Sequence, residues 1–138
     1  ESALRAHVHD LGLTERVDFL GQVSHDDLPT LMCAADVMVL PSVSEGLANV
    51  WVEAMASGTP IVVPNIGGAA EILRNRSAGR LAARDGSAIA AAVKDLLNDN
   101  IDQQKVAENA APFSWDHNAR TLAQFWQGVV EQRPALTL

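Results

Sequence analysis

Residues 37–73 read V-M-V-L-P-S-V-S-E-G-L-A-N-V-W-V-E-A-M-A-S-G-T-P-I-V-V-P-N-I-G-G-A-A-E-I-L. An apolar run stops at Pro41-Ser42, a glycine turn follows, the chain re-emerges as a helix, and a second apolar run comes after Gly58. This is half of a βαβ unit, and ligands of such sheets sit beyond the carboxyl ends of the strands. The same stretch sets two carboxylates, Glu45 and Glu53, around one turn. It reads as a site as well as a piece of core.

On either side of this stretch α and β alternate. Leu4, Val8 and Leu11 share a face over 2–11, Gly12 stops that helix, and Val17-Asp18-Phe19-Leu20-Gly21 reads as a short strand. Ser24 with Asp27 three residues on is a capping signal, and Leu28, Leu31, Met32 and Ala35 form the expected buried stripe before a strand at 37–40. A helix of about 49–57 ends at Gly58, 60–63 is a buried strand, Gly67-Gly68 a turn, 69–75 a short helix and 79–83 a weaker strand. Beyond Asp85-Gly86-Ser87 the chain is helical: Ile89, Val93, Leu96 and Leu97 share one face, a second helix lies near 102–110, and a third runs from Trp115 to about Glu131. The expected class is α/β, a Rossmann-like parallel sheet with helices on both faces.

Composition bounds the rest. A chain of 138 residues, 48% hydrophobic, is long enough for one domain burying about 70% of its unfolded surface. The formal net charge of -7 argues against nucleic acid as a partner, so any nucleotide is held as a small molecule. The lone Cys33 makes no internal disulfide, and no stretch approaches the roughly 20 apolar residues of a membrane span. A cytoplasmic location is expected.

The turn after Pro41 carries the chemistry. Gly46 lets the backbone approach a ligand, and the amides of Leu47, Ala48, Asn49 and Val50 lie at a helix N-terminus, where free N–H groups and the dipole favour an anion such as a phosphate. Glu53, one turn inside that helix, can accept hydrogen bonds from vicinal hydroxyls of the kind a ribose offers. Glu45 can meet a second polar group. The spacing of the two carboxylates is weak evidence by itself, and the flanking strand and glycines give it context.

Those flanks carry a resemblance. E-G-L-A-N-V-W-V-E-A-M-A-S-G-T-P-I-V-V-P, preceded by A-D-V-M-V-L-P-S and followed by G-G-A-A-E-I-L, closely resembles the donor half of retaining GT-B glycosyltransferases. These are family 4, or group 1, enzymes, among them bacterial mannosyl- and glucosyltransferases and sucrose synthase. V-D-F-L-G-Q-V upstream and F-S-W-D-H-N-A downstream also fit, so the resemblance covers nearly the whole chain. It implies a nucleotide-sugar donor bound by this Rossmann-like domain and an acceptor bound mainly by a separate N-terminal domain, as in polysaccharide or glycolipid biosynthesis. It further implies that Glu53 holds the ribose, that Glu45, the candidate catalytic residue, contacts donor-sugar hydroxyls, and that Gly46 to Val50 line sugar and phosphate. Gln22 and Val23 would lie against the base, and Glu71 would be structural. Transfer proceeds in that family with retention and without a bound metal, the leaving phosphate taking the acceptor proton, so protein cations and amides must stabilise its charge.

The chain departs from the family at its start. The G-R-x-x-x-x-K-G-like segment that presents cations to the pyrophosphate is not in this sequence, nor are the first two strands of a donor domain. The expectation is a partial donor domain over residues 1–138, inactive alone, whose parent can sit peripherally at the inner face of a membrane. With strand order 3-2-1-4-5-6, the edge at 37–40 would need covering by the strand at 17–21 or by a second, strand-swapped copy.

Other residues have plainer readings. His25, beside Asp26 and Asp27, is read as capping and solvated rather than as a metal ligand; His7, His9 and His117 are assigned no chemistry. Cys33 is read as a small buried hydrophobe, Trp115, Phe125 and Trp126 as packing for the last helix rather than as a sugar-stacking platform, and Met32, Met38 and Met55 as core fillers. Two alternatives to the transferase stay open: a nucleotide-sugar epimerase of GT-B type, which should show His or Asp acid/base groups near the sugar, and a non-catalytic nucleotide-binding or oligomerisation module.

Overall fold

The computed structural model describes residues 1–131. Three parallel strands form one sheet in the order β1 (Met38–Val39), β2 (Ile61–Val63), β3 (Gly79–Leu81). The register sets Met38 beside Ile61, and Ile61, Val62 and Val63 beside Gly79, Arg80 and Leu81. Around it run α1 (Ser2–Asp10), α2 (Leu28–Ala34), α3 (Asn49–Ala56), α4 (Ala69–Ile72), α5 (Gly86–Asn98), α6 (Gln103–Glu108) and α7 (Trp115–Glu131). The α/β class read from alternation is the observed one.

The continuous apolar run of β2 is explained by burial on both faces. Ile61 and Val63 join a core with Met32, Trp51, Ala54, Met55, Ile72 and Val106, drawn from α2, α3, α4 and α6. Val62 points the other way, the side on which α5 packs against β2 and β3 and buries Leu96. Each fully buried aliphatic or aromatic side chain contributes about 1.5–3 kcal/mol. Thr59 is the buried polar residue of this core, and its hydroxyl donates to the carbonyl of Met32, tying the end of α2 to the start of β2. Met32 and Met55 are buried and Met38 packs on the core, as their filler role requires.

Several expectations are corrected. Residues 17–21 form no strand: Val17 is extended, at φ −129° and ψ 115°, but a strand exists only by its ladder, and among the described residues the segment has no neighbour to pair with. Arg5 lies over the Phe19 ring at 4.5 Å instead. The segment therefore does not cover β1, whose only ladder partner among the described residues is β2. Ser24 and Asp27 do exchange hydrogen bonds, at 2.7 and 3.2 Å, but they close a turn and α2 starts after them. α2 turns Met32 inward and leaves Leu31 41% exposed; Cys33, the next residue around the helix, is exposed rather than buried. On α5, Leu97 is likewise outside the buried face. α7 buries none of its residues, so Trp115, Phe125 and Trp126 are not packing: the 3.6-residue period reveals an apolar stripe but not what meets it.

An ion cluster joins β3 to α5. Arg76 reaches Asp95 and Asp99 at 3.0 Å each, and Arg80, with its side chain 11% exposed, pairs with the same two carboxylates. The Arg80 hydrogen bond, aided by the charge of Arg76, holds the Asp95 carboxyl below its ordinary range. The Ser87 hydroxyl and the Ala88 amide do the same for Asp85, which caps α5. A carboxyl depressed in the folded state stabilises above its unfolded pKa and loses that contribution as pH falls through the folded one. The denaturant midpoint is therefore expected to hold above pH about 5 and fall below about 4, and Asp95→Asn should flatten the decline. An unchanged acid limb in that variant would refute the assignment.

Candidate functional site

The loop 41–48 leaves the carboxyl end of β1 and is fixed at two points. The ladder runs to Leu40, whose N–H donates to Val62 O at 3.2 Å; Pro41 has no N–H to continue it. Arg84, just past β3, donates its Nε to Pro41 O at 3.1 Å. At the far end of the loop the Gly68 N–H donates to Gly46 O at 2.7 Å. Gly67 adopts φ +49°, and a Cβ there would collide with the carbonyl oxygens of Glu45 and Gly46, so the glycine turn forms the seat on which the Glu45 loop rests.

Gly46 differs from its partner in this contact. A Cβ at Gly46 would meet nothing within 4 Å, so the protein's own packing does not require a glycine there. α3 starts from Ala48, extended at φ −71° and ψ 122°, and no side chain caps it. Among the described residues no side-chain acceptor thus claims the first-turn amides of Asn49 and Val50, the arrangement that suits an anion. The opposite side of α3 is anchored by Trp51, Ala54 and Met55, all at 0% exposure. That burial turns Asn49, Val52, Glu53 and Ala56, spaced by three or four residues, to one flank.

Glu53 stands between two cavities on that flank. The larger, of about 530 Å³, takes Leu47, Asn49, Val52 and Glu53 as one wall and Phe113 with the start of α7 as the other. The smaller, of about 290 Å³, lies between Glu53, Ala56 and Ser57 of the α3 side and His25, Leu28 and Met32 of the α2 side. Leu47, Asn49 and Glu53 meet at the larger cavity. Glu45 is half-buried on the loop, and Ala48 and Val50 are half-buried and packed on the core, so Val50 can contribute only backbone. Gln22 is exposed on a bend, Val23 is half-buried, and neither lines either of these two cavities; His25, two residues beyond Val23, lines the smaller one. Among the described residues no cluster of three His, Cys, Asp or Glu able to hold a metal ion is found, and no helix is long and apolar enough to cross a membrane.

Two parts of the site were not read from the sequence. Arg84 braces the loop across the sheet, and no periodicity marks such a residue. The second wall of the larger cavity comes from α7, where Ser114 Oγ accepts the His117 N–H at 3.2 Å and so fixes the helix start. F-S-W-D-H-N carried that capping signal, but it says nothing of what faces the helix.

Comparison with known proteins places this geometry among relatives. The family model described as glycosyl transferases group 1 matches residues 1–112. D-inositol 3-phosphate glycosyltransferase of Mycobacterium marinum is 38% identical over 120 residues, covering 82% of this chain and 26% of that protein. GDP-mannose-dependent alpha-(1-6)-phosphatidylinositol monomannoside mannosyltransferase of Mycobacterium tuberculosis is 35% identical over 91% of this chain and 36% of its own length. Among solved structures, sucrose-phosphate synthase from Thermosynechococcus elongatus superposes with a TM-score of 0.79 at 29% identity, covering 96% of this chain and 35% of that one. Anabaena HepE in complex with UDP gives 0.75 at 29%, covering 92% and 36%. The chain thus spans about a third or less of the length of several proteins it matches, and 36% at most of these four.

Proposed function

Since this chain belongs to the glycosyl transferases group 1 family, we propose that it is the donor-binding part of an enzyme that moves a hexose from a nucleotide diphosphate sugar to a saccharide or glycolipid acceptor with retention. The observation that carries this reading is the uncapped N-terminus of α3 with Glu53 one turn on, both opening on one cavity. The pyrophosphate sits on the amides of Gly46 to Val50, the ribose hydroxyls donate to the Glu53 carboxylate, and the Glu45 carboxylate accepts from hydroxyls of the donor sugar. The base lies toward the segment of Gln22 and Val23 and the α2 side of the smaller cavity. Glycine at position 46, which packing does not demand, leaves room for the phosphate to reach the backbone.

In the reaction the acceptor hydroxyl oxygen bonds to the anomeric carbon, the bond from that carbon to the phosphate oxygen breaks, and the acceptor proton passes to the leaving phosphate. The protein's part is to hold the phosphate against preorganised amides, which gain strength as its charge grows. No resident metal is invoked. Acceptor binding belongs, in this reading, to the remainder of proteins of this kind, so the present chain binds donor nucleotide without turning over. The epimerase alternative calls for His or Asp acid/base groups near the sugar, and His117 is the one His or Asp among the described residues lining the larger cavity. UDP, GDP and ADP added in turn to ¹⁵N-labelled chain should shift the amides of residues 46–50 saturably for one of the three, which names the base. Shifts confined to other parts of the chain would overturn the placement.

A further inference from the structure

The larger cavity has a wall that the donor reading does not use. Trp115, the first residue of α7, is 87% exposed yet lines this cavity, and the Ser114 cap immediately before it fixes the turn that presents the indole. Singly exposed aromatic residues are ordinary on protein surfaces. This one stands beside His117, Asn118 and Thr121, and opposite Asn49. Among the described residues the side chains of His117, Asn118 and Asn49 make no hydrogen bond, and the Thr121 hydroxyl donates to His117 O at 2.9 Å with its lone pairs unspent. The wall therefore offers donors and acceptors together around an aromatic face, and Glu53 is the one Asp, Glu, Lys or Arg among the described residues that line the cavity. That combination suits a neutral, polyhydroxylated ring with one apolar face. A volume of about 530 Å³ is in the range of small-molecule sites.

We propose that this wall is a pyranose subsite, with the Trp115 indole as stacking platform and Asn118, His117, Thr121 and Asn49 as partners of the sugar hydroxyls. The inference goes beyond the donor reading, sharing Glu53 and Asn49 with it but not depending on it. The sugar can be the hexosyl group of a donor or a ring of the acceptor, and the chemistry of recognition is the same.

The test follows the three indole Nε1–H signals, of Trp51, Trp115 and Trp126, in ¹H–¹⁵N spectra of the full chain. Methyl α-glucopyranoside and methyl α-mannopyranoside are added first, then UDP-glucose and GDP-mannose, with UDP and GDP as references. The Trp115 indole and the amides of residues 115–121 should move saturably while buried Trp51 and the more distant Trp126 stay in place. A response to free pyranosides identifies an acceptor-type site; a response to nucleotide sugars alone, absent with UDP or GDP, identifies the donor hexose. Trp115→Ala removes no core contact, since α7 buries no residue, and should weaken the interaction by about tenfold or more. Asn118→Ala should weaken it in the same direction. The proposal is overturned if no sugar moves the Trp115 signal, or if Trp115→Ala binds as tightly as the parent. Nucleotide shifts at residues 46–50 persisting in that event would leave the donor reading standing; sugar shifts at 115–121 without them would remove the donor reading alone.

Discussion

Gly67→Ala is expected to lower the unfolding free energy by about 2–5 kcal/mol and to weaken nucleotide binding with it. Two costs combine. The backbone at φ +49° is one that L side chains adopt at a penalty of about 1–2 kcal/mol. The new methyl also collides with two carbonyl oxygens, those of Glu45 and Gly46, and backbone atoms cannot swing away as a flexible side chain can; such overpacking costs about 1–3 kcal/mol. Relief requires the loop to lift, which breaks the 2.7 Å bond from the Gly68 N–H to Gly46 O and carries Glu45 off its seat. Gly12→Ala is the control, because Gly12 has a similar φ of +67° with nothing within 4 Å of the added atom. It should cost about 1–2 kcal/mol and leave ligand binding alone. Equal denaturant midpoints for the two variants would show that the Gly67 contact does not hold the loop.

The fold was legible where local signals and burial agree. The apolar run before Pro41, the run at 60–63 and the stop at Gly58 each mark a feature that tertiary structure reinforces: Ile61, Val62 and Val63 are buried, and α3 ends at Ala56. Pairing was not legible. Residues 17–21 have strand-like composition and an extended start, yet a ladder needs a neighbour, which sequence periodicity does not supply. Exposure failed for the same reason at Cys33 and along α7, because an apolar residue on a helix announces a face without naming its partner. In the candidate site, the glycine turn and the start of α3 were readable because glycine and helix-start chemistry are local. The cavity wall built by Trp115, His117 and Asn118 joins residues more than sixty positions from Glu53, and Arg84 reaches Pro41 across the sheet; neither leaves a trace in local pattern.

Glu53 is the side chain on which donor-nucleotide binding depends most directly. Its side chain is half-buried on the flank of α3 and borders both cavities, so Glu53→Gln keeps shape and helix while removing the charge. A carboxylate can accept from both hydroxyls of a ribose, whereas the amide offers one acceptor oxygen and turns a donor toward the second hydroxyl. Hydrogen bonds to a charged group are worth about 1.5–3 kcal/mol, so the loss should be about 10- to 100-fold in affinity. Calorimetric titration of the chain and of Glu53→Gln with UDP, GDP and ADP measures it directly. Saturable binding of one nucleotide, weakened by that factor in the variant, is the expected result; equal affinity in both proteins, or heat from none of the three nucleotides, would contradict the account.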